Sequence, residues 1–235
     1  MKLETKDLLT GDEISSKEFL ELIDFSIKLK EENKTVKGKQ LLENKTLAML
    51  FEKPSTRTRV SFETGMKQLG GHTIILSLNE MQHSRGESVE DTAKTLSGYV
   101  DGIVARVYEH SFIEDLAKHA TVPVINGLSN SYHPCQTLAD FMTIKEHKKK
   151  FKDLKIAWIG DGNNVCNSLI FGCSKTQTDI VIATPKGFEP NPEVVKKASE
   201  NTTIDLTTDP ESAVKDADIV MTDTFTSIHT SDPKR

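Results

Sequence analysis

Leu47-Ala48-Met49-Leu50-Phe51-Glu52-Lys53-Pro54-Ser55-Thr56-Arg57-Thr58-Arg59-Val60-Ser61-Phe62 is the stretch whose reading decides the fold. The apolar run Leu47 to Phe51 reads as a short strand. A Pro-Ser-Thr turn follows, and then a helix carries Phe62, Met66 and Leu69 along one face until Gly70-Gly71 stops it. The turn sets the hydroxyls of Ser55, Thr56 and Thr58, several backbone N–H groups and Arg57 around a helix N-terminus. Free N–H groups and the positive end of the helix dipole favour an anion there. The fixed fork of Arg57 suits phosphate oxygens. The chemistry is that of a phosphate or carboxylate cradle, although a plain N-cap beside a solvated arginine would use the same residues.

Working outward, the pattern repeats. Upstream, Ser15 and Glu18 make a capping box, Phe19, Leu22, Ile23 and Ile27 recur at helical spacing, and Glu31 to Lys39 is a charged connector. Downstream, strands are expected at His72–Leu78, Gly102–Tyr108 and Pro123–Leu128. Between them come a polar loop (Asn79 to Glu87) and helices capped by Ser88/Asp91 and Ser111/Glu114. A long helix starts at His133-Pro134-Cys135-Gln136 and ends near Lys149. Lys145, Lys148, Lys149 and Lys150 there suit a helix C-terminus and read as a solvated face. The pattern then restarts, with strands at Lys155–Gly160, Asp179–Pro185, Thr203–Thr208 and Asp218–Thr224. Helices are expected at Asn163–Gln177, after the Asn191-Pro192 cap, and at Pro210–Ala217. Such alternation means parallel sheets covered by helices. The expected fold is α/β, with two doubly wound, Rossmann-like parallel-sheet domains at about 1–150 and 151–235.

Composition narrows the function classes. The length of 235 residues suits one large or two small domains. No apolar run is long enough for a membrane span, and Met1 to Thr10 has charge but no apolar h-region, which argues against a signal peptide. The net charge of −5 argues against general nucleic-acid binding. Cys135, Cys166 and Cys173 form no paired metal spacing and no disulfide framework, which fits a reducing cytoplasm.

Ligands in open α/β sheets sit beyond the carboxyl ends of the strands. The first half offers Ser55, Thr56, Arg57, Thr58, Arg106, His133 and Gln136 there, a cationic, donor-rich set. The second offers Asp161, Asn163, Asn164, Asp223 and Ser227, mostly acidic or amide. The split suggests an anion held by the first domain and an amine by the second. Taken singly, Arg106 could be a surface arginine and His133 a helix cap. Gly160-Asp161-Gly162-Asn163-Asn164-Val165 is similar to a dinucleotide fingerprint. It lacks the third glycine, and the next strand ends in Thr184-Pro185 without a ribose-binding carboxylate, so no nicotinamide cofactor is expected. Cys166 and Cys173, on one helix face, read as core.

In order along the chain, Ser55-Thr56-Arg57-Thr58-Arg59, Arg106-Val107-Tyr108 and His133-Pro134-Cys135-Gln136 resemble the aspartate/ornithine carbamoyltransferase family. Asp161-Gly162-Asn163-Asn164-Val165 and Asp223-Thr224-Phe225-Thr226-Ser227 are similar to its ornithine branch. The resemblance covers nearly the whole chain. It implies transfer of a carbamoyl group from carbamoyl phosphate to the δ-amine of L-ornithine, giving L-citrulline and phosphate in arginine metabolism. It also implies no metal or organic cofactor, and homotrimers or multiples of trimers with sites at subunit interfaces. By position, carbamoyl phosphate would be held by Ser55, Thr56, Arg57, Thr58, Arg106, His133, Pro134, Cys135 and Gln136, with Gln82 entering from a neighbouring subunit. Arg57, Arg106 and His133 would be catalytic. Asn164, Asp223, Ser227 and Ile228 would hold ornithine. Arg106, His133 and Thr58 would then donate to the carbonyl oxygen as negative charge grows there, and Gln136 would accept from the carbamoyl NH2. Closure of the two domains would make positioning a large part of the rate.

The sequence departs from the family pattern in two places. Ser227-Ile228-His229 stands where the family usually has Ser-Met-Gly. Family members also continue for several tens of residues past the equivalent of Arg235, with a His-Cys-Leu-Pro motif and a later Arg that complete the two ligand sites. The expectation is therefore an incomplete ornithine domain. The alternatives are a related carbamoyltransferase for another amine, or a truncated, non-catalytic module that binds carbamoyl phosphate.

Overall fold

The computed structural model describes residues 3–35, 40–52, 54–82 and 86–224. Sixteen main elements alternate along the chain: α1 (Ser16–Thr35), β1 (Thr46–Phe51), α2 (Arg57–Gln68), β2 (His72–Ser77), α3 (Val89–Ser97), β3 (Gly102–Arg106), α4 (His110–His119), β4 (Val124–Leu128), α5 (Pro134–Lys148), β5 (Lys155–Ile159), α6 (Asn164–Thr176), β6 (Asp179–Ala183), α7 (Pro192–Ala198), β7 (Ile204–Thr207), α8 (Pro210–Val214) and β8 (Ile219–Met221). A 3-10 turn, Leu78–Glu80, follows β2 at the start of the stretch expected to be loop. All pairing between these strands is parallel, in two four-stranded sheets ordered β2-β1-β3-β4 and β7-β6-β5-β8. The expected fold class holds. Among the described residues no helix is long and apolar enough to cross a membrane.

Packing divides the chain into two compact units. One comprises residues 1–14 and 24–129, the other residues 15–23 and 130–235. By packing, the division falls at Ser129 and α5 goes with the second unit, while the sequence pattern restarts near residue 150. The reason is that α5 seats on α6. A methyl group on Gly172 would lie 2.3 Å from the Phe141 ring and 2.7 Å from the Thr137 methyl, so only glycine permits that approach. Phe19 meets the same Phe141 ring edge-on at 5.4 Å, which assigns the start of α1 to the second unit.

In the first unit the alternation of side chains along β1 builds two cores. Ala48 and Leu50 join Ile103, Ala105 and Val124 under Ala93, Ile113 and Leu116 of α3 and α4. Leu47, Met49 and Phe51 face the other way, with Val104, onto Met66 and Phe62 of α2. Burial on both faces explains why β1 reads as one unbroken apolar run. The N-terminal segment lies against the open side of β4: the Leu8 amide donates to Val124 O at 3.0 Å, and the Asn126 amide donates to Leu8 O at 2.8 Å. Lys6 Nζ donates to the carbonyls of Ala117 (3.0 Å) and Ala120 (2.7 Å), acceptors that the end of α4 leaves unpaired.

Local signals held unevenly. The Ser15 amide donates to Glu18 Oε2 at 2.8 Å and the Glu18 amide to Ser15 Oγ at 3.2 Å, a reciprocal capping box. Ser88 caps α3 through the Asp91 amide at 3.0 Å. The Ser111/Glu114 cap does not form. Helix α4 starts two residues earlier, after Glu109 and without a side-chain cap. His110 is drawn into the interior instead, with Nδ1 2.9 Å from Ser129 Oγ.

Candidate functional site

Each sheet contains one reversal of strand order, and the sequence-selected residues stand at both. In the first sheet the chain runs from β1 to β2 on one side, then to β3 on the other. The crevice of an open sheet lies at such a reversal, beyond the strand ends. Phe51 and Arg106, the last residues of β1 and β3, are register partners. The Glu52 amide donates to Arg106 O at 3.0 Å, and Glu52 Oε2 accepts from the Tyr108 amide at 2.6 Å, so the two strand ends leave the sheet locked together.

Arg106 Nη1 donates to Thr58 Oγ1 at 2.6 Å, joining the β3 end to the first turn of α2. Thr56 occupies the N-cap position of α2 without a side-chain capping bond, so the plain-cap reading of this turn does not apply. Ser55 and Thr58 are half-buried, whereas Thr56 and Arg57 are exposed. Burial first, and then the neighbouring Arg57 charge, hold the Arg106 guanidinium below its ordinary value. Among the described residues no carboxylate offsets this repulsion, and the Nε of Arg106 is buried without a hydrogen-bond partner. Two guanidinium groups, hydroxyls and a helix N-terminus are gathered at this strand end, a donor set whose chemistry suits an anion. Gln82 is exposed in the loop beyond the 3-10 turn, where its carbonyl accepts from the Glu87 amide at 3.2 Å.

In the second sheet the chain runs from β5 to β6 and β7, then crosses to β8 on the other side of β5. Gly162, just past β5, donates its N–H to Phe188 O at 2.7 Å. A Cβ there would lie 2.1 Å from the Pro190 nitrogen. Asn163 caps α6, its Oδ1 accepting from the amides of Val165 (3.0 Å) and Cys166 (3.1 Å). Its other side-chain atom, Nδ2, donates to Asp223 Oδ2 at 2.8 Å. Asn163 therefore joins the ends of β5 and β8. Asn164, the first residue of α6, is buried.

The His133-Pro134-Cys135-Gln136 stretch opens α5 in the same unit. The His133 amide donates to Ser168 Oγ at 2.7 Å, and Asn167 Nδ2 donates to Ser131 O at 3.2 Å, so α6 fixes the entry to α5. His133 makes no side-chain cap. Burial pushes the Cys135 thiol up to about 12, which leaves no thiolate for nucleophilic work. Cys166 and Cys173 are buried, and burial raises both thiols, as expected for core residues.

Sequence reasoning missed Asp140. It lies one turn after Gln136 and hydrogen-bonds its side chain. Burial pushes the Asp140 carboxyl up to about 6, the Gln136 bond pulls it down, and the Asp223 charge adds to the rise. Gln136, Asp140, Asp223 and Asn163 thus form one polar chain. The i, i+4 spacing on an expected helix was the signal available for it. Ser227, Ile228 and His229 lie outside the described residues. Among the described residues no cluster of His, Cys, Asp and Glu could hold a metal ion.

Comparison with known proteins finds relatives along the whole chain. Residues 6–146 match the family model described as "Aspartate/ornithine carbamoyltransferase, carbamoyl-P binding domain", and residues 152–235 match "Aspartate/ornithine carbamoyltransferase, Asp/Orn binding domain". The chain is 57% identical over all 235 residues to the ornithine carbamoyltransferase of Cenarchaeum symbiosum, spanning 77% of that protein. It is 50% identical over 224 residues to that of Archaeoglobus fulgidus, covering 95% of this chain and 73% of the relative. Among solved structures, the ornithine carbamoyltransferase from Pyrococcus furiosus superposes with a TM-score of 0.93 at 48% identity, over 97% of this chain and 74% of that one.

Proposed function

Since the chain belongs to the aspartate/ornithine carbamoyltransferase family, we propose that it transfers the carbamoyl group of carbamoyl phosphate to the δ-amine of L-ornithine, releasing L-citrulline and phosphate. The observation that carries this reading is the anion site at the β1/β3 reversal, where Arg106 is bonded to Thr58 beside the charge of Arg57. Arg57, the hydroxyls of Ser55 and Thr56 and the N–H groups at the start of α2 hold the phosphate and stabilise it as it leaves. Arg106, Thr58 and His133 donate to the carbonyl oxygen while the uncharged amine attacks the carbonyl carbon, so the charge that develops there meets donors already in place. Gln136 accepts from the carbamoyl NH2, with Pro134 and Cys135 shaping the same turn. Asp223, held by Asn163, pairs with the α-ammonium of ornithine, and Asn164, Ser227 and Ile228 complete the amino-acid contacts. Gln82 reaches the site of a neighbouring subunit.

The reading extends to a homotrimer, a place in arginine metabolism and a cytoplasmic setting. The test is citrulline formation from carbamoyl phosphate and ornithine, with aspartate and putrescine as competing amines. Product from ornithine alone is expected. Product from another amine, or a folded chain that binds neither substrate, would overturn it.

A further inference from the structure

A glutamine amide has two faces of similar shape and opposite polarity: the carbonyl oxygen accepts and the NH2 donates. A ligand that offers an N–H needs the oxygen. A half-turn of the amide would present an NH2 to an NH2 and repel it. Something must therefore choose the orientation of Gln136, and the choice is made by a neighbour whose polarity is unambiguous.

We infer that Asp140 is a positioning residue for Gln136: its carboxylate takes an N–H of the Gln136 side chain and leaves the amide oxygen to accept from the carbamoyl NH2. The inference rests on the proposed role of Gln136 as the carbamoyl contact. Asp140 lies one helical turn after Gln136 on α5, so the two side chains stack on one face. A side-chain hydrogen bond joins them. An ionised carboxylate can only accept, so the bond admits one orientation of the amide.

A purely structural role does not account for this arrangement. The second carboxylate oxygen, Oδ2, is buried with no hydrogen-bond partner, and the neighbouring charge is another carboxylate, Asp223. Burial and like charge both work against Asp140, and among the described residues the favourable contact is Gln136. An apolar residue or an asparagine would satisfy packing at lower cost. The carboxylate offers something they lack, a fixed polarity one turn below the ligand contact.

The test compares two phosphonates by calorimetry. Phosphonoacetamide carries the carboxamide NH2 on a stable link, and methylphosphonate lacks it. The intact chain should bind the first more tightly. Asp140→Leu, with no acceptor for the amide, should weaken phosphonoacetamide about ten-fold and leave methylphosphonate unchanged, as expected for one lost neutral hydrogen bond. Asp140→Asn, which can bond either face of the amide, should fall about two- to three-fold, between the two. Neither variant should melt earlier than the parent. Equal preference for the carboxamide in all three proteins would overturn the positioning role and leave the proposed function standing. A parent chain that does not distinguish the two phosphonates would overturn the role of Gln136, and this inference with it. Loss of both affinities together, with an earlier melt, would mark Asp140 as structural and likewise overturn the inference.

Discussion

Arg106 and Arg57 repel each other across a short gap at the end of a buried strand, with no carboxylate between them among the described residues. Such a pair costs stability, and a multivalent anion of the kind proposed would offset that cost. Arg57 is exposed, so Arg57→Ala should leave the fold intact while carbamoyl phosphate binding is lost. Circular dichroism and calorimetry on the same sample check both halves, and unchanged affinity would remove Arg57 from the site. Asp140 gives a second prediction, with the opposite sign to the usual carboxylate. Its folded value is pushed up to about 6 from an ordinary 3.8, so the folded chain holds the proton more tightly. Its destabilisation is absent below about pH 4, grows between about pH 4 and 6, and is constant above, on the order of 2–3 kcal/mol. Asp140→Asn should therefore raise the melting temperature at pH 8 and leave it unchanged near pH 4. Most residues of the proposed site could be nominated from the sequence because their types are rare together at strand ends. Asp140 and Asn163 were not assigned roles: Asp140 acts through Gln136, one turn earlier on the same helix, where only the i, i+4 spacing hinted at it, and Asn163 acts through Asp223, a partner that only the tertiary fold supplies.

At the level of elements, α6 organises the second unit. It receives β5 through Gly162 and Asn163, anchors the His133 loop through Ser168, and fixes the Asn191 amide through Asn167 Oδ1 at 3.0 Å. Asn163→Ala removes the cap and the brace on Asp223 together. It should destabilise the chain by about 1 kcal/mol and raise the KM for ornithine, with carbamoyl phosphate affinity unchanged; a parallel loss of both affinities would argue against Asp223 as an ornithine contact. Gly162→Ala should be harsher. The added carbon would lie 2.1 Å from the backbone nitrogen of Pro190 and 2.4 Å from the Glu189 carbonyl carbon, so the loop before α7 must shift. A lower melting temperature and weaker ornithine binding are expected from thermal melts and steady-state kinetics. The sequence revealed this glycine as part of a motif but gave no hint of what crowds it, since Pro190 is remote in the chain. The failed Ser111/Glu114 cap has the same cause. Local capping chemistry competed with the burial of His110, and burial moved the helix start.

For the whole molecule, charge and topology act on different scales. The net charge is −5, yet the turn after β1 carries Arg57 and Arg59, so the proposed attraction of a phosphate would belong to one crevice rather than to the chain. The two sheets repeat one plan, in which an early central strand is flanked on one side before the chain crosses to the other. That plan was readable because apolar runs alternate with helical patterns throughout. The seating of α5 was not, since lysines at its end look like a boundary while Gly172 and Phe141 tie its body to α6. The proposed homotrimer predicts a particle of three 26.2 kDa chains by light scattering; a single-chain mass at working concentration would reject it.

The tether of Lys6 and Leu8 also bears on how the protein is handled. A protease that clips after Leu9 would release a short peptide without touching a proposed ligand residue, but it would strip the cover from β4 and take the Lys6 donor away from the carbonyl acceptors at the end of α4. A bared strand edge recruits other strands. A preparation nicked there would start with full activity and then lose it to clouding on the shelf, so the integrity of the first ten residues is the quality check that an activity assay on fresh protein would miss.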